Sequence, residues 1–380
     1  MKLFEPRIDR DLAVQLGEEA VVIAQAGKYI GPAGLVGIST EVKACVQATV
    51  HYAADHIHPT PVTGPHTTVY EVTNETTLSA HRRHQAKGHN VVSLNFASAT
   101  HPGGGFLSGA RAQEEYLCRS SALYLTLKDC PMYDDHRKYQ DDDGCFFTDA
   151  MIYSPDVPVF RDDDHSLLPS PHLASFISCA APIAKFASLD LKLAYLPEFL
   201  RWRISKILSV AQWNCHNSLI LGAWGCGAYG NDGYEVADIF YQALTVDFAG
   251  AFKEVTFAIV DTSPEERFIS PFAQRFAAPE QADEDVDIEP LWEIVAKEVV
   301  GKANDEWRLV RSTNPQVTHF LQMGLHGTNM KCLFIPKKGD EAGTGQVILN
   351  VGANDLKGLL EYAAANPEAM RVPPLNFPLN

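Results

Sequence analysis

Three short stretches carry residue types that could do chemistry together. The first is NFASATHPGGGF, residues 95–106, which ends in the triplet Gly103, Gly104 and Gly105. Three glycines in a row remove every Cβ, so backbone N–H groups can approach an anion closely. The second is Gln113-Glu114-Glu115, one short loop further on. The third is GAWGCGAYGN, residues 222–231. Either glycine-rich stretch alone reads equally well as a tight turn. Together, each after an apolar strand-like run and ahead of a helix-like one, they could grip the two ends of a diphosphate. A carboxylic acid beside a held diphosphate suits cleavage of a bond at a phosphorylated ribose. Carboxylates in a helix's first turn also complement its dipole, so it is the placement just past the triple glycine that points to chemistry. Adjacent helical residues diverge by about 100°. Glu114 and Glu115 should therefore not face each other across a sugar, as the two carboxylates of ordinary glycosidases do. One is expected to transfer the proton while its neighbour binds hydroxyls.

These loops need a sheet to carry them. From about Val69 the chain alternates strand-like and helix-like runs: TTVYEV, then ETTLSAHRRHQAK with Asn74 as its N-cap, then the buried-strand run NVVSLNFAS and the helix QEEYLCRSSALYLTL. Further strands are expected at AMIYSP, LASFISC, NSLILGAW and EVTFAIVD, with helices at KLAYLPEFLRWRISKILSVAQ and YEVADIFYQALTVDFAGAF. Such alternation predicts an α/β fold, a parallel or mixed sheet covered by helices on both faces, with ligands at the carboxyl ends of strands. Ahead of it, residues 1–65 read as a helical accessory segment, with helices over DLAVQLGEEAVVIAQAGKYI and STEVKACVQATVHYA and a Pro/Thr/His-rich linker after them. The catalytic unit is expected over 66–279. Residues 280–380 read as a C-terminal α/β extension: an acidic linker QADEDVDIEP, a helix in PLWEIVAKEVVGKA, and a strand and helix in QVILNV and DLKGLLEYAAA. No function is assigned to that extension.

Composition narrows the classes. The chain has 380 residues, is 46% hydrophobic and 21% charged, and carries a formal charge of −16. That charge argues against broad binding to DNA or RNA, where neutralisation of phosphates by Lys and Arg dominates affinity. An acidic enzyme would grip one terminal unit of a polyanion in a pocket. No apolar run matches a signal peptide or a membrane span. An intracellular, cytoplasmic protein is expected, with the nucleus also open in a host that has one, and a monomer. Eight scattered cysteines without a C-x-x-C pair read as reduced thiols.

At the GGG and QEE motifs the sequence resembles the poly(ADP-ribose) glycohydrolases, and NFASATHPGGGF, IYSPDVPVFRDDD and LGAWGCGAYGND resemble their microbial branch. The resemblance runs from about Val69 to Phe276. It implies a macrodomain-like mixed sheet sandwiched between helices, and cleavage of ribose–ribose O-glycosidic bonds, mainly from chain ends, to release ADP-ribose. It implies that Gly103, Gly104 and Gly105 lie against the diphosphate of a terminal ADP-ribose, with Phe106 beside them. Gln113 and Glu114 would hold ribose hydroxyls, and Glu115 would protonate the departing 2′-oxygen and then deprotonate the attacking water. Gly225, Cys226, Gly227 and Ala228 would form the second phosphate loop, with Tyr229 on the distal ribose and adenine side. Asn95 and Ser98 would reach the distal ribose or anchor the first loop. The family needs no metal or other cofactor. Its partners would be poly(ADP-ribose) or an ADP-ribosylated protein. Three positions depart from the family pattern: Tyr229 in place of Phe, Gly233 in place of Pro, and Thr100-His101 before Pro102.

Other readings compete at single features. His51, His56 and His58 match no specific zinc spacing. The runs Asp141–Asp143 and Asp162–Asp164 lack the ligand pattern of a calcium loop. Cys226 has no visible basic partner and reads as a small loop residue. Two alternatives to the polymer-cleaving enzyme are kept: a non-catalytic ADP-ribose-binding macrodomain, and a hydrolase of single ADP-ribose units.

Overall fold

A computed structural model describes residues 8–54, 59–143, 146–186, 195–276, 307–311, 317–323, 331–336 and 346–348. The chain forms two compact units, Met1–Ala278 and Pro279–Asn380.

The first unit is built on seven strands: β3 (Val50–Tyr52), β4 (Val69–Thr73), β5 (Val91–Phe96), β6 (Met151–Arg161), β7 (Leu167–Cys179), β8 (Ser218–Leu221) and β9 (Glu254–Ala258). Their order is β3-β6-β7-β5-β8-β9-β4. β5 pairs parallel with β7 and β8, β8 with β9 and β9 with β4, whereas β6 runs antiparallel to β3 and β7. The mixed sheet expected from the sequence is thus present. β5 is buried along nearly its whole length, as a strand covered on both faces must be. One face packs Val92, Leu94, Leu219 and Leu221 against the helices Leu196–Trp213, Gly233–Gln242 and Ser270–Phe276. The other face is covered by α1 (Arg10–Ala26), α2 (Ser39–Ala48), α3 (Thr77–Ala86), α4 (Gln113–Ser120) and α5 (Leu123–Leu127). Because β5 and β8 are parallel neighbours, the loops leaving their carboxyl ends lie side by side. That is how glycine loops more than a hundred residues apart come together.

Several local expectations shift. The first helix stops at Gly27, whose φ of 64° makes a left-handed cap. Lys28–Gly31 (β1) then turns back on Gly34–Gly37 (β2) as an antiparallel hairpin instead of continuing the helix. The N-cap of α3 is Thr76, whose hydroxyl accepts from Ser79 N–H at 3.1 Å, while Asn74 bonds the Asp261 backbone at 2.7 Å. The run QEEYLCRSSALYLTL splits into α4 and α5 at Ser121, which is extended and bridges to Val159. The helix α1 backs the first glycine loop: a Cβ at Gly17 would stand 2.8 Å from the Phe106 carbonyl oxygen.

The second unit contains an antiparallel sheet in the order β10 (Trp307–Arg311), β11 (Val317–Met323), β12 (Lys331–Pro336), β13 (Gln346–Ile348). Only β13 falls in a run expected to be a strand, QVILNV. The acidic linker and the two helices expected there lie outside the described residues.

Candidate active site

The triple glycine turns inward. Gly103 and Gly104 have φ of 72° and 60°, a region that favours glycine. A Cβ on Gly104 would collide with Glu115 Oε1 and stand 3.1 Å from Glu114 Oε2. Gly104 N–H donates to His101 O at 2.9 Å and Gly105 N–H to Glu115 Oε1 at 2.9 Å. The close approach these glycines permit is therefore to the protein's own carboxylates, which the loop wraps at the first turn of α4. A ligand here would lie along the open face of the same loop.

The two acids are seated differently. Glu114 is 3% exposed; it accepts from Ser98 N–H at 2.7 Å and Asn95 Nδ2 at 3.3 Å. Burial, with a smaller contribution from the Glu115 charge, pushes Glu114 up to about 8 against those donors. Glu114 thus carries a proton at neutral pH. Glu115 is 8% exposed; its Oε1 takes the Gly105 N–H, while its Oε2 is buried with no partner among the described residues. A buried carboxylate oxygen without a protein partner is uncommon, and this one is available to a substrate group.

The neighbours expected to touch substrate divide into two groups. Asn95 is fully buried. Its amide donates to Ser178 Oγ at 2.9 Å as well as to Glu114, which leaves Oδ1 unpartnered. Gln113 is spent on the fold: its Oε1 accepts Phe96 N–H at 2.9 Å, and its Nε2 donates to Leu94 O at 2.8 Å and Thr77 Oγ1 at 3.1 Å. These bonds pin α4 to the end of β5 and to α3. Phe106 is 1% exposed, with its ring 4.9 Å from that of Tyr124, so its side chain packs in the core beneath the loop. Ser98 sits at the loop's entrance, its hydroxyl accepting His101 N–H at 3.2 Å.

The second glycine loop follows β8. Trp224 is buried beneath it and donates to Cys179 O at 2.9 Å. Gly225, with φ of 75°, leaves room for Asn231, whose amide bonds Pro182 O and Gly225 O at 2.9 and 3.0 Å. A Cβ on Gly227 would meet nothing, and the Gly227 and Ala228 N–H groups have no partner among the described residues. These are the free donors an anion needs. Cys226 is held in its thiol form by burial, which removes it as a nucleophile at neutral pH. Tyr229 Oη accepts Ala99 N–H at 3.1 Å, so this loop is tied to the first. Gly233 opens the next helix under the Asp232 cap, which accepts from Tyr234 and Glu235 N–H at 2.8 and 3.0 Å.

The motif did not disclose the supporting residues. Ser178 holds Asn95, and Thr77 holds Gln113. Arg119 lies buried under the loop and donates to Ala110 O at 2.7 Å. Its position four residues past Glu115 on the same helical face was the available signal. Of the rival features, Asp162 pairs with Arg82, Asp163 with Thr76 and Tyr116, and Asp164 with Ser166, so that acidic run is used by the fold. His51 lies in β3; His56, His58 and the side chains of Asp141–Asp143 are outside the described residues. A different group, Glu71, His84 and Glu254, brings ligand atoms within 4.8 Å of one another. Lys87 at 2.5 Å from Glu254 and Arg83 at 2.8 Å from Glu71 already neutralise it. No helix among the described residues is long and apolar enough to cross a membrane.

The family described as microbial-type PARG, catalytic domain, matches residues 17–162. Poly(ADP-ribose) glycohydrolase from Thermomonospora curvata is 40% identical with a TM-score of 0.65, over 70% of this chain and all of that one. The same protein bound to the inhibitor ADP-HPD is 40% identical at a TM-score of 0.63, over the same shares of the two chains. The Deinococcus radiodurans enzyme in complex with ADP-ribose is 39% identical with a TM-score of 0.57, over 62% of this chain and 96% of that one. No curated protein sequence matches the chain.

Proposed function

The chain belongs to the microbial-type poly(ADP-ribose) glycohydrolases, and from that membership we propose that Glu115 is its acid and that the two glycine loops hold a terminal ADP-ribose between them. The enzyme is a glycosidase, and the bond it breaks joins two riboses. Cleavage of an O-glycosidic bond passes through an oxocarbenium-like state, which a neighbouring diphosphate stabilises electrostatically. The leaving 2′-oxygen needs a proton, and water must then be deprotonated. Glu115 has the uncommitted oxygen for both steps, Oε2. Glu114, held by Ser98 and Asn95, carries a proton at neutral pH and faces the ribose hydroxyls. The second loop offers the Gly227 and Ala228 N–H groups to phosphate, and Tyr229 flanks the distal ribose. The observation that carries this reading is the single buried, unpartnered oxygen of Glu115 at the mouth of a glycine turn.

The test is release of free ADP-ribose from purified poly(ADP-ribose), without added metal, by wild type and Glu115→Gln. The glutamine variant is expected to lose about 10²–10⁴-fold in rate, the contribution of a positioned acid, while still binding ADP-ribose. Substantial turnover by the variant would remove Glu115 from the role. Binding by both proteins without release by either would instead favour a reader of ADP-ribose. Comparing polymer with singly modified protein then fixes the preferred substrate.

A further inference from the structure

The stretch just past β5 uses its backbone to seat the site. Phe96 N–H donates to Gln113, Ser98 N–H to Glu114 and Ala99 N–H to Tyr229. The first two hold the acid helix, and the third reaches the other glycine loop. Ala99 is 2% exposed, and its carbonyl accepts from His136 Nδ1 at 2.9 Å, so it is clamped on both sides. On its own loop, the Tyr229 carbonyl accepts Lys185 N–H at 2.9 Å.

We propose that the Tyr229 hydroxyl is a positioning group for the acid pair, tying the aromatic wall of the second loop to the backbone that seats Glu114. The idea rests on the glycohydrolase reading and adds a residue to it. A phenylalanine ring would fill the same space but leave the buried Ala99 N–H without an acceptor, a state that buried donors avoid. The Ser98–Ala99 backbone would then lose one of its fixed points, and Glu114 would follow. Because this tie is in place before substrate arrives, it preorganises the acid pair, and its loss shows in turnover more than in affinity.

The experiment compares wild type, Tyr229→Phe and Tyr229→Leu in steady-state cleavage of poly(ADP-ribose), with amide hydrogen exchange at Ala99 in the ligand-free proteins. For Tyr229→Phe, kcat is expected to fall about tenfold, the equivalent of one lost buried hydrogen bond. KM should move less than about threefold, and Ala99 exchange should speed up by about tenfold on the same reasoning. Tyr229→Leu, which also loses the ring, adds a rise in KM. A raised KM with kcat kept in Tyr229→Phe makes the hydroxyl a ligand contact and overturns the proposal, as does unchanged exchange at Ala99. If wild type releases no ADP-ribose, the glycohydrolase reading fails by itself, while Ala99 exchange still decides the tie.

Discussion

Gly104→Ala is the substitution whose consequence the structure sets out most fully. The residue sits at φ of 60°, where an alanine costs about 1–2 kcal/mol. In a domain of this size class roughly 2–4 °C of Tm accompanies each kcal/mol, so a fall of about 2–8 °C is expected. The new methyl would also land on Glu115 Oε1. The carboxylate must retreat by about 1 Å to restore contact distance, and a misplacement of that size at a reacting group costs on the order of 10²-fold in rate. Gly103→Ala supplies the control. Its φ of 72° imposes similar strain, but its methyl would meet the Phe106 ring at 3.1 Å and Cys118 Sγ at 3.2 Å, away from both acids. Thermal unfolding and kcat/KM for ADP-ribose release are measured on both variants. Comparable losses of Tm with a rate loss confined to Gly104→Ala fit the geometry. Equal kcat/KM in the two, or a Gly104→Ala enzyme within threefold of wild type, would refute the claim that this glycine exists to admit the carboxylate.

Other consequences concern the supports of the site. The folded-state value of Glu114, about 8, lies above its ordinary 4.5. The folded protein therefore holds a proton that the unfolded chain has released, and stability declines as pH rises through that window. Unfolding from pH 5 to 8 should show wild type losing ground to Glu114→Gln by up to about 1.4 kcal/mol per pH unit; a pH-independent gap would be the wrong result. Activity should fall as pH passes about 8 and Glu114 gives up its proton, and a rate still rising at pH 9 would contradict a role for protonated Glu114. Gln113→Ala removes three hydrogen bonds to the end of β5 and to α3 and should destabilise by roughly 2–4 kcal/mol; unchanged stability with weakened ligand binding would return Gln113 to the substrate. A chelator should leave both rate and Tm unchanged, because Lys87 and Arg83 already neutralise the Glu71–His84–Glu254 group; a loss restored by a divalent ion would show a metal there.

Legibility in the sequence followed range. The sheet could be read because β5 and β8 are short apolar runs, β8 followed at once by Gly222 and β5 followed seven residues after Phe96 by the glycine triplet at Gly103. The adjacency of the two loops followed once those strands were placed in one parallel sheet. Boundaries were lost where a single residue decides them: Gly27 stops α1 at Ala26, four residues short of the expected end at Ile30, and Ser121 breaks α4 from α5 by pairing with Val159. In the second unit only β13 fell in a run expected to be a strand; β10, β11 and β12 were not singled out in the sequence. Within the site, Glu114, Glu115 and the glycines were legible as a motif. What Gln113 and Phe106 do was not, since a side chain's partners on β5 and α5 lie far away in sequence. A motif says which residues gather, not which way each one faces.

The facing is what separates two adjacent, chemically identical acids. Sequence neighbours on a helix point about 100° apart, yet both carboxylates reach Gly104, because the glycine turn folds over the N-terminus of α4 and meets the two directions at one backbone corner. From there their surroundings diverge. Glu114 is turned toward β5, where the Ser98 N–H and the Asn95 amide hold it, and burial raises its proton affinity despite them. Glu115 is turned along the loop, where the Gly105 N–H takes one oxygen and nothing among the described residues takes the other. One carboxyl is therefore committed and the other is half free. A reaction that needs a fixed hydroxyl acceptor and a separate proton carrier finds both within a single turn of helix, and exchanging the two residues' surroundings would exchange their roles.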